Sequence, residues 1–190
     1  MKAATAVLYD ACVLYPALLR DFLMWLGLSG CFRARWSRTI QDEWKRNVLR
    51  NRPGLSRAQL DRVSDLMDKA IPDCLVEGYE ALIADLHLPA PDDRHVLAAA
   101  IHGEASTIVT FNLRDFPREA LAPFGIGALH PDDFILQLLE RDATAVIWAA
   151  QQQRAQLASP PSDTDQYLEI LRKQGLIKTV EVLTVYRDRL

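Results

Sequence analysis

The chain has 190 residues, 49% of them hydrophobic, and a formal net charge of −3, which suits one domain, or one domain with a small appendage, and supplies enough apolar residues for a real core. No apolar run is long enough to span a membrane, and Asp10 arrives before any long apolar region, so neither a transmembrane segment nor a signal peptide is expected. Cys12, Cys31 and Cys74 are odd in number and scattered, which excludes a disulfide framework and a CxxC metal site and points to a reducing cytoplasm.

Thr5 to Tyr9 is a short apolar run that ends in Asp10. It reads as a buried central strand with a carboxylate at its C-terminal end. Such a group is costly to bury unless it is paired or bound to a cation; a turn or helix-cap aspartate is the alternative. Pro16 suits the first turn of a helix with the stripe Leu18, Leu19, Phe22, Leu23 and Leu26, ended by Gly27. Phe32 to Trp36 forms a second short element. Ser37 then opens a helix to about Arg50, with Ile40, Trp44 and Val48 inward at four-residue spacing. Glu43 and Asn47 lie on or beside that inward face. An acid there needs a partner, either a metal ion or a nearby arginine.

Charge is uneven along the chain. Arg33 to Arg62 holds nine bases against three acids, an excess of six positive charges that leaves the remainder at −9. A segment of that sign can bind phosphates, or can be a solvated helix surface. Within it, Ser56 to Gln59 matches a capping box for a helix carrying Leu60, Val63, Leu66, Met67 and Ala70, ended by Pro72. Cys74 to Val76 reads as another strand, and Tyr79 to Leu86 as a short helical stretch.

Ala90 to Phe116 is the most informative stretch. Pro91, Asp92 and Asp93 open an alanine-rich helix that ends at Gly103, and an Asp there can cap the helix start. A face that small lets a helix lie close against a sheet. Thr107 to Phe111 is a β-branched apolar run, the mark of a buried strand, and it stops at Asn112 with Asp115 three residues on. Beyond Pro117, Ala128-Leu129 suggests an edge strand. Helices are expected from Pro131 to Glu140 and from Ala143 to Leu157. Ser159 to Ser162 is the clearest linker. A helix follows through Tyr167, Leu168 and Leu171 to Gly175, and Ile177 to Leu190 fits helix or strand.

Strands alternating with helices argue for an α/β fold with a parallel sheet covered on both faces, whose successive strand ends meet at one edge. In such sheets that edge binds ligands. Asp10, Asp92 and Asp115 can gather there, with Glu43 delivered by its helix. Clustered carboxylates repel, and hard oxygen ligands suit Mg²⁺ or Mn²⁺, which can activate water and stabilise the leaving oxygen of a phosphodiester.

These residues resemble a PIN-domain nuclease, and within that group the VapC-type toxins of bacterial toxin–antitoxin pairs. The matching signs are the strand ending in Asp10, Glu43 on a helix after a serine, Asp92-Asp93 opening an Ala-rich helix, and Ile108 to Asn112 followed by Arg114-Asp115-Phe116. The resemblance implies a PIN-like three-layer fold over residues 1–135, with a helical C-terminal extension over 136–190. It implies an acidic quartet of Asp10, Glu43, Asp92 and Asp115, with Asp93 a second candidate to the preferred Asp92 and Thr110 and Asn112 as polar supports. Many relatives carry Asp at the position of Asn112, which bears on a second metal. It further implies Mg²⁺-dependent (or Mn²⁺-dependent) cleavage of structured RNA such as tRNA or ribosomal RNA, a homodimer, and inhibition by a cognate antitoxin. Arg46, Arg50 and Arg52 are the candidate RNA contacts.

Other features weigh less. His95 and His102 are seven apart on one helix face, a spacing more often structural than metal-binding. Cys12 lacks a sequence-evident base and is a poor nucleophile candidate. No GxGxxG and no P-loop occur. The rivals to a nuclease are a PIN-like module that binds RNA or protein without cutting, and a phosphohydrolase of small substrates, which would need fewer bases.

Overall fold

The computed structural model describes residues 5–157 and 163–190. The expected linker Ser159 to Ser162 lies outside the described residues. In chain order the elements begin with β1 (Ala6–Tyr9), α1 (Ala11–Leu14), α2 (Ala17–Leu28), β2 (Arg33–Arg35), α3 (Arg38–Asn51) and α4 (Arg57–Ala70). They continue with α5 (Arg94–His102), β3 (Ala105–Val109), α6 (Arg118–Leu121), β4 (Gly127–Leu129), α7 (Pro131–Gln156), α8 (Thr164–Lys173) and α9 (Ile177–Thr184). A 3₁₀ helix lies at Glu80–Asp85, and single 3₁₀ turns at Pro91–Asp93 and Leu113–Asp115.

The strands form one all-parallel sheet in the order β2-β1-β3-β4, flanked by helices. β1 is central and buried along its whole length, which is why its sequence is a continuous apolar run and does not alternate. Parallel pairing sets Tyr9 beside Val109 and Val109 beside Leu129. The backbones of Asp10 and Thr110 extend this register, Asp10 N–H donating to Val109 O and Thr110 N–H to Leu129 O. The segments that follow β1 and β3 therefore leave the sheet at the same edge, as the alternation of strands and helices implied.

Helix starts follow the caps written in the sequence. The Ser37 hydroxyl accepts from Ile40 N–H at the start of α3, and Ser56 with Gln59 completes the capping box of α4. Val96 through Ala100 on α5 are all buried, and α5 packs on β1 and β3 as its small residues allow. Gly103 does end α5, for a different reason from the one expected. Its φ of −79° is ordinary, but a Cβ would stand 2.8 Å from Val76 Cγ2 and 2.9 Å from Ala99 O. Close approach selects this glycine, not a left-handed turn.

Three local expectations change. Cys74 to Val76 forms only an isolated bridge, Leu75 with Trp36, and adds no strand. Neither Asp92 nor Asp93 caps the helix with its side chain. The short α1 directly after Asp10 has no counterpart among the helices expected from the sequence.

The chain forms two compact units. The first joins the chain up to Tyr15 to Phe32–His130 and contains the sheet. The second joins Pro16–Cys31 to Pro131–Leu190, so α2 clusters with the C-terminal helices. Within it α2 and α9 pack on α7, with Trp25 edge-on to Trp148. α7 breaks at Asp142, whose backbone is extended (φ −154°) and whose side chain accepts from Ala145 N–H at 3.0 Å. That capping aspartate separates the two helices the sequence suggested on either side of residue 142. Ile177 to Leu190 resolves as helix and a final turn. Among the described residues no helix is long and apolar enough to cross a membrane.

Candidate active site

Asp10 leaves β1 and turns at once into α1. Its Oδ1 accepts from Ala11 N–H at 2.6 Å, and its Oδ2 accepts from Thr110 Oγ1 at 2.7 Å and Cys12 Sγ at 2.9 Å. The residue is both of the things its sequence allowed, a helix cap and a buried carboxylate. Its donors come from two strand ends that the parallel register holds together. Thr110 is fully buried, and its hydroxyl in turn accepts from Asn112 N–H at 2.9 Å. Phe111 N–H points at Cys12 Sγ at 3.2 Å. A carboxylate offers about four lone-pair sites, so these three donors leave room for a further partner.

Electrostatics bind the acids into one site. Burial raises the Asp10 carboxyl above the usual carboxylate range, against the pull of its hydrogen bonds from Cys12 and Thr110, and the charge of Glu43 adds to the rise. Asp93 is lifted further, to about 6, first by burial and then by the charges of Asp10, Asp115 and Glu43. Four acids from four separated segments thus share one field. Asp92 is exposed, and Asp93 is the member of the doublet that feels the other three. Of the two candidates the sequence offered, Asp92 and Asp93, it is Asp93 whose carboxyl is raised in part by the other acids. Because neither acid is consumed in capping α5, the Asp93 carboxyl stays available.

Glu43 sits on α3 half-buried, with its Oε2 3.4 Å from His95 Nε2 on α5. The sequence offered a metal ion or an arginine as the partner of this acid; the nearest group is a histidine. His102, by contrast, is exposed at the far end of α5, lining a separate cleft with Arg35 and Glu104, so the two histidines do not form a pair. Asp115 closes the turn Leu113–Asp115, and Asn112 is exposed at its start.

The sequence places Cys12 near the acidic pocket but does not show its role as a donor to Asp10. Burial and the Asp10 charge push its thiol well above the ordinary range, so it remains an S–H donor to Asp10. Its position two residues after Asp10 is the one signal that could have flagged it.

The basic segment is more divided than its charge count suggests. Lys45 is buried, with Nζ 2.8 Å from Asp61 and 3.4 Å from Asp42, and Arg57 pairs with the same two acids. Arg46, Arg50 and Arg52 are exposed. On α3, Glu43, Arg46 and Arg50 recur at spacings of three and four, so the two arginines continue the stripe that carries Glu43.

The donor set suits a hard divalent cation in its chemistry: all oxygen, and mutually repelling without a counter-charge. Among the described residues, however, no group of three or more His, Cys, Asp or Glu side chains is arranged to hold a metal ion as it stands.

Comparison with known proteins adds independent findings. The sequence model of the family described as "PIN domain" matches residues 6–114, and that described as "VapC50 C-terminal domain" matches residues 131–185. The chain is 54% identical over 63 residues to a protein of Mycobacterium tuberculosis (strain ATCC 25618 / H37Rv) named "Putative ribonuclease VapC50". That match covers 33% of this chain and 37% of the relative. No solved structure gives a significant match.

Proposed function

The chain belongs to the PIN-domain family, of the VapC type, and from that premise we propose that it is a metal-dependent endoribonuclease, the toxin of a toxin–antitoxin pair. The observation that carries the reading is Asp10 at the end of the central strand, its carboxylate held by Ala11, Cys12 and Thr110 inside the segment that matches the PIN-domain model, with the charges of Asp10, Asp115 and Glu43 raising the Asp93 carboxyl. A fold tolerates such repulsion where a ligand relieves it.

Asp10, Asp93 and Asp115 are the proposed metal ligands, with Asp93 in place of Asp92. Bound Mg²⁺ or Mn²⁺ would supply a Lewis acid for water activation and for charge on the departing oxygen. The chain's own part is positional. Thr110 and Cys12 fix the Asp10 carboxylate, and Glu43 enters from α3. Asn112 supports the strand end through its backbone, and Arg46, Arg50 and Arg52 take the RNA phosphates. The division into a catalytic part up to residue 135 and an extension from 136 is kept as a proposal about function. Action in the cytoplasm on tRNA or ribosomal RNA, as a homodimer held in check by a cognate antitoxin, belongs to the same proposal.

The test is cleavage of structured RNA with Mg²⁺ or Mn²⁺ against EDTA. Asp10→Asn and Asp93→Asn should each lower the rate by about a hundredfold or more, as removal of groups serving developing charge does. Asp92→Asn should keep most of the activity. An Asp10→Asn protein that cuts at the wild-type rate defeats the reading. Alanine at Arg46, Arg50 and Arg52 should lower the salt slope of RNA binding by about one unit for each phosphate no longer neutralised.

A second reading, a module that binds RNA or protein without cutting it, draws on Asn112, an exposed amide where the resemblance to PIN-domain nucleases implies an acid. It predicts salt-sensitive RNA binding with no metal-dependent product.

A further inference from the structure

Two rings stand beside the acids without taking part in holding them. Phe111 is the second residue past β3, and His130 the first past β4. The parallel register delivers both to the edge at which Asp10 leaves the sheet. Thr110 N–H donates to Leu129 O, and Phe111 N–H donates to Cys12 Sγ, itself a donor to Asp10. The ring centroids are 5.1 Å apart and the planes meet at 66°. In such an edge-on contact the edge of one ring meets the face of the other, so the two do not cover each other's faces. The aromatic pair of the core, Tyr9 stacked on Trp36, is fully buried. Phe111 and His130 are both partly exposed and lie outside that core.

The strand order sets this pair on one side of Asp10 and the basic stripe on the other. β1 lies between β2 and β3, with β4 outermost. α3, which follows β2, packs on α1 and carries Glu43, Arg46 and Arg50. Crossing the edge from β2 to β4 therefore meets bases, then acids, then rings. We propose that Phe111 and His130 are RNA-binding residues, a surface on which an unpaired base stacks beside the phosphodiester held at the acids. Stacking requires no charge, so it can supply affinity next to carboxylates that repel the phosphate backbone. Every base has a π-face, which makes such a surface tolerant of sequence. It is not tolerant of pairing, because a base inside a duplex is already stacked on its neighbours.

The inference rests on RNA as the ligand in the proposed function, and its readouts are taken in EDTA so that cleavage does not enter. The probe is single-stranded oligouridylate, with a blunt RNA duplex as the control. Phe111→Leu keeps apolar bulk and removes the π-face. It should weaken oligouridylate binding about tenfold, within the range of one lost base stack. The salt slope should not change, since no phosphate contact is lost. Duplex binding should also not change. Phe111→Tyr retains a ring and should bind oligouridylate as the wild type does. In NMR spectra of the wild-type complex, nuclear Overhauser effects should connect uracil ring protons with those of Phe111 and His130.

Melting curves identify a variant that fails to fold; if Phe111→Leu does, His130→Leu carries the comparison, with the same outcomes expected. Equal oligouridylate binding by the wild type and the leucine variant, an equal loss on the duplex, or a complex without those Overhauser effects overturns the inference. If it fails in this way while the wild type cuts RNA with Mg²⁺ or Mn²⁺, the ribonuclease reading stands. A wild-type chain that stacks the bases but gives no metal-dependent product overturns the ribonuclease reading alone. A chain that binds neither RNA overturns both.

Discussion

Two aspartates, Asp10 in the sheet unit and Asp132 in the helical unit, are equally buried at 5% exposure. Their surroundings differ. Asp132 accepts from Thr179 N–H on Oδ1 and from Lys178 N–H on Oδ2, each at 2.9 Å, and its carbonyl takes the Thr179 hydroxyl at 3.3 Å. Both oxygens are used on backbone donors at the start of α9 that would otherwise lack acceptors, so acid and helix gain together. Asp133 beside it pairs with Lys178. The helical unit repeats this pattern at the fully buried Gln153, whose amide donates to Leu18 O at 2.8 Å and accepts from the Tyr167 hydroxyl at 2.9 Å, tying α7 to α2 and α8. Asp10 also has donors, but it is set among Glu43, Asp93 and Asp115. Asp132 spends its charge on donors alone. Asp10 keeps its donors but stands in the field of like charges. A buried acid is thus informative only together with the sign of its neighbours.

The largest expected effect comes from supplying the missing counter-charge. Mn²⁺ or Mg²⁺ at a hundred times its dissociation constant should stabilise the folded chain by about 2.7 kcal/mol. For a chain of this length that is a melting shift of roughly 5–10 °C. Asp10→Asn should shrink the shift and raise the metal-free melting point, since it removes a repelling charge and little volume. Scanning fluorimetry with Na⁺ at matched ionic strength is the control. Equal stabilisation by Na⁺ would erase the contrast between the units.

Asp132→Ala should do the opposite. Losing a buried helix cap costs about 2 kcal/mol, or roughly 4–8 °C in melting point, while the metal-induced shift stays as in the wild type. If that shift falls along with the melting point, the two aspartates are not doing separate jobs.

The smallest effect is a pH dependence. Asp93 holds its proton to about 6 when folded and releases it near the ordinary aspartate value of 3.8 when unfolded. Between those values the folded state binds more protons, so metal-free stability should fall as pH rises from about 4 to about 6 and then level off. Burial of Asp10 adds in the same direction. Because Asp93 is only half-buried, solvent mutes the effect. Urea melts across this range should show the fall in wild type and a shallower one in Asp93→Asn. A stability that climbs from about pH 4 to about 6 in the metal-free protein would mean that the acids are paired and not repelling.

Much of the fold was legible because its signals are local. The apolar run before Asp10, the serines before α3 and α4, and the aspartate that splits α7 each act within a few residues of themselves. The strand expected at Cys74 to Val76 shrinks to a single parallel bridge: it meets Trp36 just past β2, where Trp36 N–H donates to Cys74 O and Val76 N–H to Trp36 O, and the pairing goes no further. The basic segment was legible as a count but not as a surface: Lys45 looks like its neighbours in sequence, yet it is buried between α3 and α4 against Asp61 and Ser64.

By itself the sequence determined which residue types could do chemistry and which side of each element they occupy. Period and capping fix those within one helix or strand, as with Glu43 beside the inward stripe of Ile40, Trp44 and Val48. Only the tertiary structure decided the partners. Thr110 reaches Asp10 across a hundred residues of chain because β1 and β3 are adjacent and in register. The raised Asp93 carboxyl answers to the charges of Asp10, Asp115 and Glu43, which the chain brings from far apart in sequence. α2 clusters with helices that lie more than a hundred residues later. Such choices depend on how elements approach one another, and burial and like-charge repulsion act through space, where spacing along the chain carries no information.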